Sequence, residues 1–66
     1  MSNVAVNYAV DDEFSNQITC GLSSYDAAVQ VARRYLSAHA DAPCVRIYED
    51  ATDGESWDLS RREILG

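Results

Sequence analysis

One amphipathic segment, residues 24–39, constrains the fold of this chain more than any other feature. Its apolar residues recur at helical spacing and form one stripe: Tyr25, Ala28, Val29, Ala32, Tyr35 and Leu36. The hydroxyls of Ser23 and Ser24 can cap the start of a helix, and Pro43 disfavours a helical backbone at the residue before it. The pattern predicts one helix with an apolar face, which must be buried against another part of the chain.

Runs on both sides of this segment alternate between apolar and polar residues, as strands do. We predict strands at residues 4–10, 14–22, 44–48 and 56 to about 62. Short acidic segments at 11–13 and 49–55 separate the strands of each pair, which favours two antiparallel hairpins. Ser60 and Glu63 also fit a capping box that would open a short helical turn, but we favour a continued strand there.

The order strand, strand, helix, strand, strand predicts an α+β fold, with a four-stranded, mainly antiparallel sheet and the helix packed on one of its faces. A chain of 66 residues forms one small domain, 1–66. The residues expected in the core include Phe14, Tyr25, Tyr35 and Trp57. Arg46, Tyr48 and Asn7 are candidates for the open sheet face. Whichever of Tyr8, Tyr48 and Trp57 points outward is expected to anchor an interface.

The charge of the chain narrows the classes of partner. Eleven acidic residues against five basic ones give a formal net charge of −6. A negative field repels nucleic-acid phosphates and anionic lipid surfaces, so we expect no direct nucleic-acid binding and no membrane binding. No apolar run is long enough to cross a bilayer, and the first residues lack a secretory signal pattern, which favours the cytoplasm.

Few residues could carry catalysis or bind a metal. Cys20, His39 and Cys44 are the nitrogen and sulfur donors, and they lack the paired spacing of a zinc site. We expect two buried, reduced thiols, no metal and no cofactor. The carboxylates cluster in exposed segments, where nothing shifts a pKa as catalysis requires, and we therefore predict no enzymatic activity. A metal site or an enzyme that uses the two cysteines and His39 is an alternative interpretation of these residues.

The acidic residues are concentrated in two segments of the sequence. The predicted partner-binding residues are Asp11, Asp12, Glu13, Glu49, Asp50, Asp53, Glu55 and Asp58, with Tyr48 as an aromatic contact. If the two segments meet at one end of the domain, they form a concentrated negative surface that attracts a basic partner. Ordinary solvated turns are the alternative interpretation.

A small, strongly acidic chain with strands around one helix at 24–39, and with acids at 11–13 and 49–58, resembles the small phage-encoded anti-CRISPR proteins. That resemblance implies stoichiometric inhibition of a bacterial immune complex in the host cytoplasm, with a CRISPR–Cas effector subunit as the partner. Some members of this group act as DNA mimics that occupy a basic site. Together with the charge, it predicts a non-enzymatic protein that occludes a basic, nucleic-acid-binding surface. The alternative is an assembly module that forms a homodimer through a sheet edge or the open sheet face.

Overall fold

The computed structural model describes residues 6–51 and 53–66. Its elements are β1 (Tyr8–Asp11), β2 (Gln17–Leu22), α1 (Tyr25–Ala38), β3 (Cys44–Glu49), β4 (Ser56–Ser60) and α2 (Arg61–Leu65). The four strands form one antiparallel sheet in the order β2-β1-β3-β4, and α1 packs on it. The predicted α+β fold with two hairpins is therefore confirmed, with a second, short helix added at the end.

Helix α1 begins and ends where the sequence predicts. The Ser24 hydroxyl accepts a hydrogen bond from the Ala27 N–H at 3.1 Å, and His39 caps the other end. Its apolar face packs on the face of the sheet that carries Val10 and Ile47. The buried core cluster consists of Val10, Ala28, Ala32, Leu36, Ala42, Val45, Ile47 and Ile64. The small alanines on α1 allow its backbone to approach the sheet closely.

The prediction of a strand running to about residue 62 is wrong. Strand β4 ends at Ser60, whose hydroxyl accepts from the Glu63 N–H at 3.1 Å while the Glu63 carboxylate accepts from the Ser60 N–H at 2.8 Å. This capping box starts α2 and turns Ile64, which is only 7% exposed, into the core. The local cap and the burial of Ile64 outweigh the strand alternation.

The first hairpin also differs from the prediction. Strand β2 begins at Gln17 rather than at Phe14, and Phe14 is 76% exposed instead of lying in the core. The Asp12 carboxylate accepts hydrogen bonds from the N–H groups of Phe14 and Asn16, which holds residues 12–16 in a turn. Strand β1 begins at Tyr8 and includes Asp11; positions 4 and 5 of the predicted strand lie outside the described residues.

The prediction of two buried thiols is wrong. Cys20 is exposed on the edge strand β2, while Cys44 is half-buried at the start of β3, and both are free thiols. An edge strand has a pairing partner on one side only, which leaves Cys20 open to solvent. Within the described ranges, neither helix has the length and apolar character needed to cross a bilayer.

Candidate functional site

The alternation of β3 divides its side chains between the two faces of the sheet. Val45 and Ile47 are buried beneath α1, and Arg46 and Tyr48 therefore lie on the open face, as the sequence predicts. Arg46 pairs across the sheet with Asp11 on β1 and with Asp58 on β4. The register thus sets one guanidinium between two carboxylates in the middle of the open face.

Arg46 is already engaged within this row. Its Nε donates to Oδ1 of Asp58 at 2.8 Å, and both side chains remain substantially open to solvent, at 48% and 72%. The hydrogen bond and the charge of Asp58 raise the pKa of the Arg46 guanidinium, and the charge of Asp11 adds to the effect. Asp58 is consequently partly neutralised, while the arginine keeps its charge at any ordinary pH.

Tyr48 lies along the open face, where its hydroxyl accepts a hydrogen bond from Nε2 of Gln17 at 3.1 Å. Ala9, its cross-strand neighbour, is fully buried although it alternates away from Val10 and the helix. Tyr8 and Trp57 instead join Tyr25 in an aromatic cluster, with 5.1 Å between the ring centroids of Tyr25 and Trp57. Of the three aromatic candidates for an interface, Tyr48 is the one on the open face.

Two surface hollows flank Arg46. One, of about 340 Å³, is lined by three predicted site residues, Asp12, Glu13 and Asp58. The other, of about 300 Å³, is lined by four more: Asp11, Tyr48, Glu49 and Glu55. Asp50 and Asp53 line neither of these two hollows. The structure therefore brings seven of the nine predicted residues around one arginine, in two groups.

The two acidic turns do not meet at one end of the domain. Tyr8 pairs with Glu49, and Asp11 pairs with Arg46. The β1–β2 turn (residues 12–16) follows Asp11, and the β3–β4 turn (residues 50–51 and 53–55) follows Glu49, so the turns lie at opposite ends of the paired strands. The carboxylates of β1, β3 and β4 connect them, which makes the negative surface elongated rather than concentrated at one end.

The β1–β2 turn is built around Asp12. Its Oδ1 accepts from the N–H of Asn16 at 2.8 Å and from that of Phe14 at 2.9 Å, and its backbone carbonyl accepts from the Ser15 N–H at 3.1 Å. The hydrogen bond from the Asn16 N–H, together with the one from Phe14, holds the pKa of Asp12 below its usual value. Asp12 is therefore a structural carboxylate of this turn as well as a charged one.

The β3–β4 turn uses Glu49 in a comparable way. Oε1 of Glu49 accepts from the Glu55 N–H at 2.9 Å, and the Glu49 N–H donates to the Glu55 carbonyl at 2.8 Å. Gly54 passes so close that a β-carbon there would lie 2.3 Å from the Glu49 carbonyl oxygen. Asp50 and Asp53 are exposed and make no side-chain hydrogen bond among the described residues.

Two carboxylate oxygens are shielded from solvent without receiving a hydrogen bond from the described residues. They are Oδ1 of Asp11 and Oε1 of Glu13. A shielded carboxylate oxygen that receives no hydrogen bond costs free energy, so these two oxygens lower the stability of the fold.

The charges of the molecule are segregated between its elements. The sheet and its two hairpin turns carry one arginine, Arg46, and eight carboxylates, which we call the acidic surface: Asp11, Asp12, Glu13, Glu49, Asp50, Asp53, Glu55 and Asp58. The helices and the loop before β3 carry three acids and four arginines: Asp26, Asp41, Glu63, Arg33, Arg34, Arg61 and Arg62. The sheet and its turns therefore have seven more acidic than basic residues, whereas the helices and the loop before β3 have one more basic than acidic residue.

His39 lies at the end of α1, whereas Cys20 and Cys44 lie on β2 and β3. Nδ1 of His39 lies 2.9 Å from the Tyr35 carbonyl oxygen, and its ring stacks on that of Tyr35 at 4.1 Å. Within residues 6–51 and 53–66, no three His, Cys, Asp or Glu side chains are arranged to hold a metal ion. Arg61 donates to the carbonyls of His39 and Ala42 at 3.0 and 3.1 Å and so completes the end of α1.

Sequence reasoning missed two surface features. Arg46 was expected on the open face, but its position between the two hollows depends on strand register, which the sequence does not show. The alternating run that begins at Phe14 predicts this residue in the core. Asp12 and Asn16 on either side of it favour turns, and that signal could have placed Phe14 in a turn.

Comparisons with family models, with curated proteins and with solved structures found no match for this chain.

Proposed function

We propose that this protein binds through its acidic surface to a basic surface of a larger protein and thereby blocks the binding of nucleic acid there. The observation that carries the proposal is the segregation of charge: eight carboxylates and one arginine on the sheet and its turns, against a small positive excess on the helices. Charge that served solubility alone would not need to be collected on one part of the fold.

The dimensions of the acidic surface suit a mimic of a phosphate backbone. Strand β3 has six residues, which span about 20 Å at roughly 3.3 Å each, and acidic turns lie at both ends of this length. One strand of a DNA duplex carries a phosphate about every 3.4 Å along its axis. The length of sheet that separates the two acidic turns is therefore about six phosphate spacings.

The partner in this proposal is a nucleic-acid-binding subunit of a CRISPR–Cas effector complex. The resemblance to phage-encoded anti-CRISPR proteins in size, charge and element order suggests it, and inhibition by occlusion needs neither a catalytic group nor a cofactor. Binding depends on charge complementarity, so association is fast at low salt and weakens as ionic strength rises.

The experiment measures the release of DNA from purified CRISPR–Cas effector complexes that carry their guide RNA. A fluorescent target duplex is bound to each complex, the protein is added, and anisotropy reports displacement. We expect one equivalent of the protein to displace the duplex from at least one complex in the panel. Full retention of DNA by every complex at about tenfold excess of the protein would refute the proposal.

A matched pair of variants separates the acidic surface from net charge. Asp50→Lys with Asp53→Lys reverses two exposed carboxylates of the β3–β4 turn, while Asp26→Lys with Asp41→Lys makes the same change of charge on the helical side. We expect the first double variant to lose at least about tenfold in affinity and the second less than about threefold. Equal losses would show that only the net charge matters.

A homodimer is the second candidate, and the edge strand β4 favours it. Strand β4 pairs only with β3 in the described sheet and has an unbroken register from Ser56 to Ser60. Two copies could pair along this edge, but pairing centred on Asp58 would set like charges opposite each other. Sedimentation velocity at micromolar concentration distinguishes the candidates, since a dimer supports the assembly role and a monomer supports the binding role.

A further inference from the structure

Phe14 is the most exposed of the large apolar side chains in the described part of the chain, at 76%. It lies in the β1–β2 turn, beyond the last paired residues of the hairpin, Asp11 and Gln17. A phenylalanine side chain is large and apolar, and burying it contributes strongly to stability or to binding. In this fold that contribution is unused, because the core does not include Phe14.

The turn that carries Phe14 is held by several hydrogen bonds. The Asp12 N–H donates to the Asn16 carbonyl at 2.9 Å, the Ser15 N–H donates to the Asp12 carbonyl at 3.1 Å, and the Asp12 carboxylate accepts from two further N–H groups. Binding to a flexible loop costs entropy when the loop becomes ordered. Here the backbone of Phe14 is fixed before any partner arrives.

The backbone at Ser15 supports the same conclusion. Its φ of 66° lies in the left-handed region, which is unfavourable for a residue with a β-carbon. Glycine or asparagine is usual at such a position of a hairpin turn. The chain keeps this conformation next to Phe14 at a cost in stability, as residues near functional sites often do.

The charges beside Phe14 define what can receive it. Asp12 and Glu13 precede it directly, and Oε1 of Glu13 is shielded without a hydrogen-bond donor. Burial raises the pKa of the Tyr35 phenol, and the negative charges of Glu13 and Asp12 add to the effect, so both carboxylates lie near this ring. A pocket that accepted the ring would bring its rim against these carboxylates, so cationic side chains on that rim would be favoured and acidic ones excluded.

We infer that Phe14 is an anchor residue that inserts into an apolar pocket rimmed by arginine or lysine side chains on the partner protein. This inference rests on the proposed function, because the same basic partner supplies the rim. Aromatic side chains that fill a desolvated pocket of a partner carry a large share of binding energy, whereas rim charges mainly contribute specificity and rate. Burial of Phe14 thus contributes affinity that does not depend on salt concentration, whereas the contacts of the acidic surface weaken as salt concentration rises.

The affinity test compares Phe14→Ala and Phe14→Leu in the DNA-displacement assay, at low salt and at high salt. We expect Phe14→Ala to weaken displacement at least about 30-fold at both salt concentrations, and Phe14→Leu, which keeps an apolar side chain, to lose less than about fivefold. Circular dichroism and urea unfolding check that both variants fold as the wild type does.

The contact test uses a photo-cross-linking benzoylphenylalanine at position 14, with the same group at position 41 as the control. Irradiation of the complex should link position 14 to apolar residues of the effector subunit that have arginine or lysine as neighbours, and mass spectrometry identifies them. A cross-link between two copies of this chain, formed without the effector, would instead show that Phe14 serves self-association and would overturn the inference.

The outcomes distinguish this inference from the function on which it rests. If the wild type displaces no DNA from any complex, the proposed function fails and the inference fails with it. If the wild type displaces DNA and Phe14→Ala does so equally well, the acidic surface is sufficient and only the anchor role is refuted.

Discussion

The two hairpin turns have the same kind of acidic sequence and differ in what they do with it. In the β1–β2 turn one carboxylate, Asp12, fixes the backbone and an aromatic side chain faces solvent. In the β3–β4 turn the Glu49 carboxylate accepts the hydrogen bond from the backbone, and Gly54 lies close against Glu49. The aromatic residue that follows this turn, Trp57, packs with Tyr8 and Tyr25.

This difference shows that acidic residues in a turn are not equivalent charges. Asp12 and Glu49 are committed to backbone N–H groups and Asp58 to Arg46, while Asp50 and Asp53 make no side-chain hydrogen bond among the described residues. Substitution of a committed carboxylate changes the fold and the charge together. Substitution of an uncommitted one changes only the charge, which makes Asp50 and Asp53 the clean probes of binding.

The largest predicted change in stability distinguishes the packed ring of Trp57 from the exposed ring of Phe14. We expect Trp57→Ala to destabilise the protein by about 2–4 kcal/mol, because it empties the aromatic cluster beside the core. Phe14→Ala should change stability by less than about 0.5 kcal/mol, since its ring is exposed. Urea unfolding followed by circular dichroism measures both; a large loss from Phe14→Ala would place that ring in the fold rather than in an interface.

Substitution of Gly54 tests the close approach in the β3–β4 turn. A β-carbon at position 54 would lie 2.3 Å from the Glu49 carbonyl oxygen and 2.9 Å from its β-carbon, so the turn must shift. We expect Gly54→Ala to cost about 1–3 kcal/mol in the free energy of unfolding. An unchanged urea midpoint would show that this turn adjusts freely and is no more fixed than an ordinary loop.

Relief of backbone strain in the β1–β2 turn should raise the free energy of unfolding instead of lowering it. Ser15 has a φ of 66°, and glycine adopts that conformation without the steric penalty. We expect Ser15→Gly to stabilise the protein by about 0.5–1 kcal/mol after the greater freedom of glycine in the unfolded chain is counted. Ser15→Ala is the matched control and should be neutral or destabilising. A destabilised Ser15→Gly would mean that the hydroxyl, not the backbone, is what matters there.

The smallest predicted effect is on how the stability of the fold depends on pH. The hydrogen bond from the Asn16 N–H lowers the pKa of Asp12 below its ordinary value of 3.8 in the folded protein. Its carboxylate therefore stabilises the fold above about pH 4, and that contribution is lost as the pH falls through the lowered pKa. Urea midpoints of the wild type should fall more steeply below about pH 4 than those of Asp12→Asn, whose amide oxygen can still accept the turn hydrogen bonds. Asp41→Asn is the control, and identical pH profiles for wild type and Asp12→Asn would contradict the role of the charge.

Much of the fold follows from local signals in the sequence. Helix α1 is specified by its apolar stripe and by Ser24, and the buried face of β3 by the alternation of Val45 and Ile47. The prediction fails at the two places where side chains compete with strand pairing for the backbone. Asp12 captures N–H groups in the first turn, and the capping box of Ser60 and Glu63 starts a helix where alternation suggested a strand.

The types of the elements from β1 to β4, the net charge and the clustering of acids in two segments follow from the sequence alone, because they depend on composition and on contacts between near neighbours. The folded structure was needed to show that β1 lies between β2 and β3, that the acidic turns are at opposite ends, and that Arg46 lies between Asp11 and Asp58. Strand order and register arise from contacts between residues far apart in the chain. No local pattern encodes them, and a shift of one residue would exchange the two faces of a strand.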